Sequence, residues 1–357
     1  MGSYKIAIIE GDGIGKEVMA QALRVLRELE QLEPEIDFLL EQLDWSSDYY
    51  LENGRMMPEN WRDILMPKDA ILFGAIGDAR VKDEVTIWEL IMPIRKEFRQ
   101  YINYRPVQSL PNISSPLEDK TGIDFSIFRE NAEGEYSNSG GRMFKGEPSE
   151  MVIQNTIMTR AGIERITRAA GEYARKHGKR KVTSATKSNA IIHTNTLWDE
   201  CVERVMREEF PELELESYYI DALAAYFVQR PKSFEVVLAS NLFGDILSDL
   251  GSGIVGGLGL SPSGNINPEK DYPSMFEPVH GSAPDIAGLG IANPIAQIWS
   301  AALLLEHIGE TEAAGKVINA IQAVLEENRV LTKDIGGQAT TEQMGTAIIE
   351  KLKAQYT

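Results

Sequence analysis

Short runs of β-favouring residues alternate with helical patterns along most of this chain. A chain written that way covers its strands by building a largely parallel sheet with helices on its faces. Residues 5–9 and 70–75 read as buried strands, as do 124–128, 181–185 and 236–239. Helical spacing runs through 17–32, 161–176 and 242–250, with Asn241 placed as an N-cap and Gly251 as the stop. At 357 residues the chain is too long for one small core and suits two domains. Two stretches break the rhythm. Residues 135–151 are rich in Gly, Ser and Asn with little helical period, which fits a flexible loop or an arm that pairs with another chain. Residues 251–267 carry repeated glycines, a mark of close backbone approach or of a hinge.

Charge narrows the function. Thirty-six Lys and Arg stand against 54 Asp and Glu, a net charge of −18. Such a chain repels phosphate backbones and anionic lipid, so nucleic acid and membrane are excluded as expected partners. An anionic ligand would need basic residues gathered in one place, and Arg95, Arg99, Arg105 and Arg129 form such a concentration. Arginine suits bidentate carboxylate binding, although Arg99 reads as a surface ion pair. A single cysteine, Cys201, excludes an intramolecular disulfide and a zinc site of several thiolates. It falls in a helical pattern with Trp198, Val202 and Val205 and reads as a small core residue. With no signal peptide evident, the cytoplasm is the expected compartment. The apolar stretch 291–308 is interrupted by Asn293, Pro294, Gln297, Ser300, Glu306 and His307, which argues against a membrane span.

Several local patterns bear on chemistry. Gly11-Asp12-Gly13-Ile14-Gly15 follows a strand and precedes a helix, but Lys16 stands where a dinucleotide fingerprint has its third glycine. A Rossmann reading is therefore rejected in favour of a tight strand-to-helix turn. Asp245 and Asp249 are one helical turn apart, so their carboxylates share a face and cost the helix roughly 0.3 kcal/mol as like charges. A hard divalent cation would reverse that sign. On spacing alone a solvated pair of aspartates is the simpler account, and a metal would want a third oxygen ligand, for which Asp221 is a candidate. Lys187 closes a strand among hydroxyl residues, and Tyr136 lies shortly after Arg129; neither is decisive alone. None of the four histidines has zinc-ligand spacing. His280 lies in a loop that leads to a helix start, and the other three read as surface or packing residues.

Taken together, residues 11–15, 95–106, 129–136, 187–189, 241–249 and 277–293 resemble, in order, the motifs of the β-decarboxylating dehydrogenases, the family of isopropylmalate and isocitrate dehydrogenases. The resemblance implies an α/β fold of two domains, isopropylmalate dehydrogenase-like and non-Rossmann, with an interdomain cleft. It implies a large domain from residues 1–103 and 255–357, and a smaller dimer-interface domain at 104–254 with an arm around 135–151. Two copies would share active sites in a homodimer. Asp221, Asp245 and Asp249 resemble ligands of Mn²⁺ or Mg²⁺, with Asp221 reaching across the dimer. Arg95, Arg105 and Arg129 resemble substrate-carboxylate clamps, and Tyr136 and Lys187 the acid/base pair. The loop with Glu277, His280, Gly281, Ser282, Ala283, Asp285, Ile286 and Asn293 resembles the cofactor site, joined by Asn189. Asp285 would repel a 2′-phosphate, which implies NAD over NADP. K⁺ is a further candidate ion.

Substrate choice in this family is implied to lie in the helix before Arg95. Isopropylmalate enzymes place a leucine, and isocitrate enzymes a serine, four residues before that arginine; Ile91 stands there in this chain. Trp88, the segment 45–61 and residues 183–189 resemble the tartrate and D-malate dehydrogenase subgroup. Glu10, Glu89 and the loop 77–85 depart from it. The expected activity is oxidation and β-decarboxylation of a small 2-hydroxy dicarboxylate by NAD, either D-malate, giving pyruvate and CO₂, or a tartrate. Lys187 would take the C2 hydroxyl proton and Tyr136 would protonate the enolate carbon. Isopropylmalate is the nearest alternative substrate. A metal-dependent decarboxylase without nicotinamide, and a homologue that only binds or assembles, are the alternatives of other classes.

Overall fold

The computed structural model describes residues 2–356. The alternation in the sequence becomes strands β1 (Gly2–Gly11), β2 (Ile36–Gln42), β3 (Ala70–Ala75), β4 (Ile102–Gln108), β5 (Asp124–Glu130), β6 (Gly140–Met143), β7 (Met151–Gln154), β8 (Lys181–Thr186), β9 (Glu214–Tyr219), β10 (Val236–Ala239), β11 (Pro262–Ile266) and β12 (Ser274–Pro278), with helices between most of them. The chain divides into two units. One holds Met1–Gln100, Arg105–Gly122 and Ser252–Thr357; the other holds Tyr101–Tyr104 and Ile123–Gly251.

In the first unit the strand order is β2-β1-β3-β12-β11, parallel except for the β11–β12 pair. All six residues of β3 are buried, as expected of a strand covered on both faces. The helix Ile295–Ile308 takes up most of the apolar stretch 291–308 and is buried on nearly every side. Two of its buried polar residues are bonded, Ser300 to the Ala296 carbonyl at 2.8 Å and Gln297 Nε2 to the Phe73 carbonyl at 3.1 Å, while Gln297 Oε1 is buried without a partner. No helix among the described residues is long and apolar enough to cross a membrane.

In the second unit β5-β10-β8-β9 are parallel throughout. Trp198, Cys201, Val202 and Val205 are buried on the inner face of the helix Thr194–Glu209, so the cysteine is the core residue its periodicity indicated. Among the described residues strands β6 and β7 pair only with each other, as an antiparallel ribbon whose residues are all exposed, Met143, Val152 and Ile153 among them.

Three local expectations change. The helix expected to stop at Gly251 runs from Asn241 to Val255, because Ile254 and Val255 are still buried. It ends instead where Gly256 and Gly257 turn to positive φ. Asn241 does not spend its side chain on capping that helix; its amide bonds elsewhere, as described below. The stretch Arg105–Gly122, which the sequence placed in the smaller domain, belongs to the first unit by its contacts. Asn112 Nδ2 donates to the carbonyls of Leu325 and Glu326, and Ser115 Oγ to that of Ile254, so this segment caps two helix ends.

One half-buried histidine couples the first unit's stability to pH. His307 packs on the Phe276 ring, 5.4 Å between centroids, and burial with the nearby Lys270 charge holds its pKa down to about 4. The unfolded chain binds this proton near pH 6.5, the folded chain only near 4, so stability is lost as pH falls through that window. His307→Gln should remove about 2 kcal/mol of the decline. Urea melts of both proteins at pH 7.5 and 4.5 test this; equal declines would refute it.

Candidate active site

The expected site residues divide between the two units. In the first, the segment before Arg95 is irregular. Residues Ile87–Ile91 form a single π turn between the helices Asp83–Thr86 and Met92–Glu97. Such turns are rare and occur frequently at functional sites. This one carries Trp88, whose ring lies 4.9 Å from the Lys96 ammonium, and Ile91, which packs against the apolar cluster of Phe73, Leu90 and Ile94. Four residues on, Arg95 Nη2 donates to Glu277 Oε1 at 2.6 Å, with both side chains about nine-tenths buried (11% and 9% exposed). Asn265 Nδ2 donates to the same oxygen at 2.7 Å. Arg95 Nε is buried without a hydrogen-bond partner, an unspent donor of the kind a carboxylate would satisfy. Arg105, on β4, is also buried.

The glycine turn after β1 is closed by protein rather than open to a pyrophosphate. Ile14 N–H donates to the Ser282 carbonyl at 2.9 Å. Gly13 sits at φ +55° and a Cβ there would collide with that carbonyl oxygen. Asp12 accepts from Ser47 N–H at 2.9 Å, Ser47 Oγ at 2.6 Å and Gly77 N–H at 2.9 Å, which fastens the turn to two neighbouring segments. These contacts agree with the rejection of a Rossmann turn.

Beside the turn lies a cavity of about 470 Å³ lined by Ile14, Gly259, His280, Ile286, Asn293 and Asp334 among others. Ala283, held at φ +42°, and Ile286 pack with Ile14, while Gly281 and Asp285 are exposed. Burial lowers the His280 pKa, so the ring is neutral. Its Nδ1 lies 2.9 Å from the Gly281 carbonyl and is therefore the donor. That leaves Nε2 as an acceptor, and it is buried with no partner. An apolar slot with one unsatisfied ring acceptor fits a heteroaromatic base bearing an amino group, such as adenine. Asn293 accepts from Ile295 N–H at 3.0 Å and donates to Asp334 Oδ2 at 3.0 Å. Asp334 lines this cavity without any signal in the sequence, because it reaches it from a distant segment, whereas Gly259 comes from the glycine-rich run already marked for close backbone approach.

In the second unit Arg129 ends β5 with its side chain almost fully buried. Its Nη1 donates to Asp245 Oδ1 at 2.7 Å, and its Nε and Nη2 donate to Asn241 Oδ1 at 3.1 and 2.6 Å. Tyr136 donates to the other Asp245 oxygen at 2.8 Å. Burial, then the Asp245 charge, pushes the Tyr136 pKa up to about 12, which keeps the phenol protonated. Gly244 permits this packing, since a Cβ there would lie 2.5 Å from Arg129 Cβ and Cγ. Gly244→Ala should therefore cost about 1–3 kcal/mol by overpacking, read as a lowered melting temperature; an unchanged melt would show that Arg129 can move aside.

A second cluster gathers at the end of β8. Lys187 Nζ donates to Asp221 Oδ1 at 2.6 Å and lies 5.5 Å from the Tyr219 ring centre. The hydrogen bond from Lys187 lowers the Asp221 pKa. Asn195 Oδ1 accepts the Lys187 backbone N–H at 2.7 Å, fixing the turn after the strand, in which Asn189 is exposed. Asp249 lies one helical turn beyond Asp245 and is exposed. The two aspartates supply the hard oxygen donors that Mg²⁺ or Mn²⁺ takes. Among the described residues no group of three His, Cys, Asp or Glu side chains gathers around one point; in this chain Asp221 stands with Lys187 instead. The structure thus joins Arg129, Tyr136 and Asp245, joins Arg95 with Glu277, and places Ile286 and Asn293 around the cavity with His280.

Comparison with known proteins agrees in scale. The family model for isocitrate/isopropylmalate dehydrogenase matches residues 5–348. A Bacillus subtilis (strain 168) protein described as a probable tartrate dehydrogenase/decarboxylase is 47% identical over 99% of each chain. The D-malate dehydrogenase (decarboxylating) of Escherichia coli (strain K12) is 47% identical over 98% of each chain. Among solved structures, isocitrate dehydrogenase from Methylococcus capsulatus superposes with a TM-score of 0.87 at 32% identity, covering 98% of this chain and 99% of the other.

Proposed function

The chain belongs to the isocitrate/isopropylmalate dehydrogenase family, and from that premise we propose that it oxidises and β-decarboxylates D-malate, a tartrate or both, using NAD and a divalent cation. The observation that carries the reading is the cluster of Arg129, Asp245 and Tyr136. A buried arginine for a carboxylate, a carboxylate suited to a hard cation and a phenol held protonated stand in hydrogen-bond contact. Full-length similarity to relatives described as tartrate and D-malate enzymes supports the substrate class.

In this reading Arg95, Arg105 and Arg129 hold the two substrate carboxylates. Asp245 and Asp249 would hold the cation, which would supply Lewis-acid stabilisation of charge on the substrate oxygen, and bound NAD would supply the hydride acceptor. Lys187 handles the C2 hydroxyl proton, and Tyr136 delivers the proton that the carbon needs after CO₂ leaves. The side of the substrate away from the arginines meets Trp88 and Ile91, which give a third carboxylate no hydrogen bond. His280, Ser282, Ala283, Ile286 and Asn293 receive the adenine end of NAD, Asp285 takes its ribose hydroxyls, and Glu277, Gly281 and Asn189 complete the site. The exposed β6–β7 ribbon serves a second copy, and that copy brings Asp221 to the cation. K⁺ is kept in each assay as a further candidate ion. The cytoplasm is the working compartment.

An NADH-absorbance panel over D-malate, the tartrates, isopropylmalate and isocitrate with Mn²⁺ tests the substrate. D-malate or a tartrate should lead; a clear preference for isopropylmalate would overturn the assignment. Cofactor choice gives a separate test. NAD should be favoured over NADP, and Asp285→Lys should narrow that preference by about tenfold or more, because a repelling charge becomes an attracting one. Equal use of both cofactors by the unaltered protein would show that Asp285 does not meet the ribose.

A further inference from the structure

We propose that Asn241 is a positioning residue that sets the Arg129 guanidinium for a substrate carboxylate; this rests on the reading of Arg129 as a substrate-binding arginine. Asn241 opens the helix Asn241–Val255 and is 1% exposed. A residue of that type often caps a helix, but the cap position here is Ser240, whose carbonyl accepts Gly244 N–H at 2.8 Å. Glu135 meets this helix end from another segment. Its Oε2 accepts Leu242 N–H at 3.0 Å and its Oε1 accepts Ser240 Oγ at 2.9 Å. The carboxylate also meets the positive end of the helix.

The Asn241 amide acts sideways. Its Oδ1 takes two N–H groups from one edge of Arg129, Nη2 at 2.6 Å and Nε at 3.1 Å. Its Nδ2 donates to the Glu133 carbonyl at 2.9 Å, so the amide itself cannot rotate freely. Two donors on one fixed oxygen define the plane of the guanidinium as well as its place. Gly134, at φ +98°, packs closely against Asn241, since a Cβ there would lie 3.0 Å from Asn241 Cβ. The acceptor is also neutral. Asp245 already gives Arg129 one carboxylate, and a second would turn the cluster net negative and repel a dianionic substrate.

That last point separates positioning from mere support. Asn241→Asp keeps an acceptor for Arg129 and its size, so a purely structural role should be rescued. A role in presenting charge should not. Both Asn241→Ala and Asn241→Asp should raise KM for D-malate by about tenfold or more, while KM for NAD stays within about twofold. The Asp variant should melt at or above the temperature of the unaltered protein, which keeps the test open if the Ala variant folds poorly. Arg129→Lys, which loses the planar fork but keeps the charge, is measured alongside. If Arg129→Lys raises KM and Asn241→Asp behaves like the unaltered protein, Asn241 is only a brace and the proposal fails. If Arg129→Lys itself leaves KM unchanged, the reading of Arg129 fails first.

Discussion

Asp245→Asn should lower activity by about 10³-fold or more while the protein still folds. The substitution keeps the size of the side chain and removes the charge that a hard cation needs. It also removes the anion that accepts from both Arg129 and Tyr136. The effect on stability runs opposite to what helical spacing alone suggests. Relief of like-charge repulsion between Asp245 and Asp249 is worth only roughly 0.3 kcal/mol. The bond from a buried arginine to a carboxylate is worth about 1.5–3 kcal/mol, so the variant should be less stable than the unaltered protein even without metal. Mn²⁺ should then widen the gap, since a cation that binds only the native site stabilises by mass action. Melting curves of both proteins with EDTA and with Mn²⁺ read these effects beside an activity assay. Full activity of the unaltered protein after exhaustive chelation, or an equal Mn²⁺ shift in the variant, would return Asp245 and Asp249 to a solvated pair.

The reversal for Asp245 shows where a sequence stops being informative. Strand β3 spans 70–75 and β10 spans 236–239, as read from apolar runs bounded by turn residues, because burial on both faces leaves a dense local signal. The rejection of a Rossmann turn was equally local: one glycine is missing, at Lys16, and the Ser282 carbonyl separately closes the turn at Gly13 and Ile14. Helix ends were less legible. Asn241 carries the composition of a cap and Gly251 that of a stop, yet a carboxylate more than 100 residues earlier in the chain caps the helix, and burial of Ile254 and Val255 carries it onward. Tertiary contacts decide such ends, and a linear pattern does not contain them. The candidate site divides in the same way. Arg129, Tyr136 and Asp245 were nameable by residue type and family resemblance, but their mutual hydrogen bonds, and the Arg95–Glu277 pair that joins an expected substrate arginine to an expected cofactor residue, follow from topology alone.

Lys187→Met should abolish most turnover, lowering kcat by about 10²–10⁴-fold, with little change in melting temperature. The asymmetry follows from exposure. Lys187 pairs with Asp221, whose side chain is 68% exposed, and exposed ion pairs contribute at most about 1 kcal/mol. The same pair makes the sharing of active sites testable. Lys187 and Asp221 belong to one cluster of one chain, 2.6 Å apart, whereas Asp245 belongs to another with Arg129 and Tyr136. If a second copy supplies Asp221 to the cation, it must supply Lys187 to the same site. Asp245→Asn and Lys187→Met chains, each inactive alone, would then rebuild one whole site when mixed: Asp245 from one copy, Lys187 and Asp221 from the other. The second site of such a dimer carries both lesions. Random exchange makes about half the dimers mixed and one site in two whole, so refolding the two variants together should recover about a quarter of the unaltered activity. Sites built from one chain would recover nothing under any mixing ratio, and that outcome would confine catalysis to a single copy.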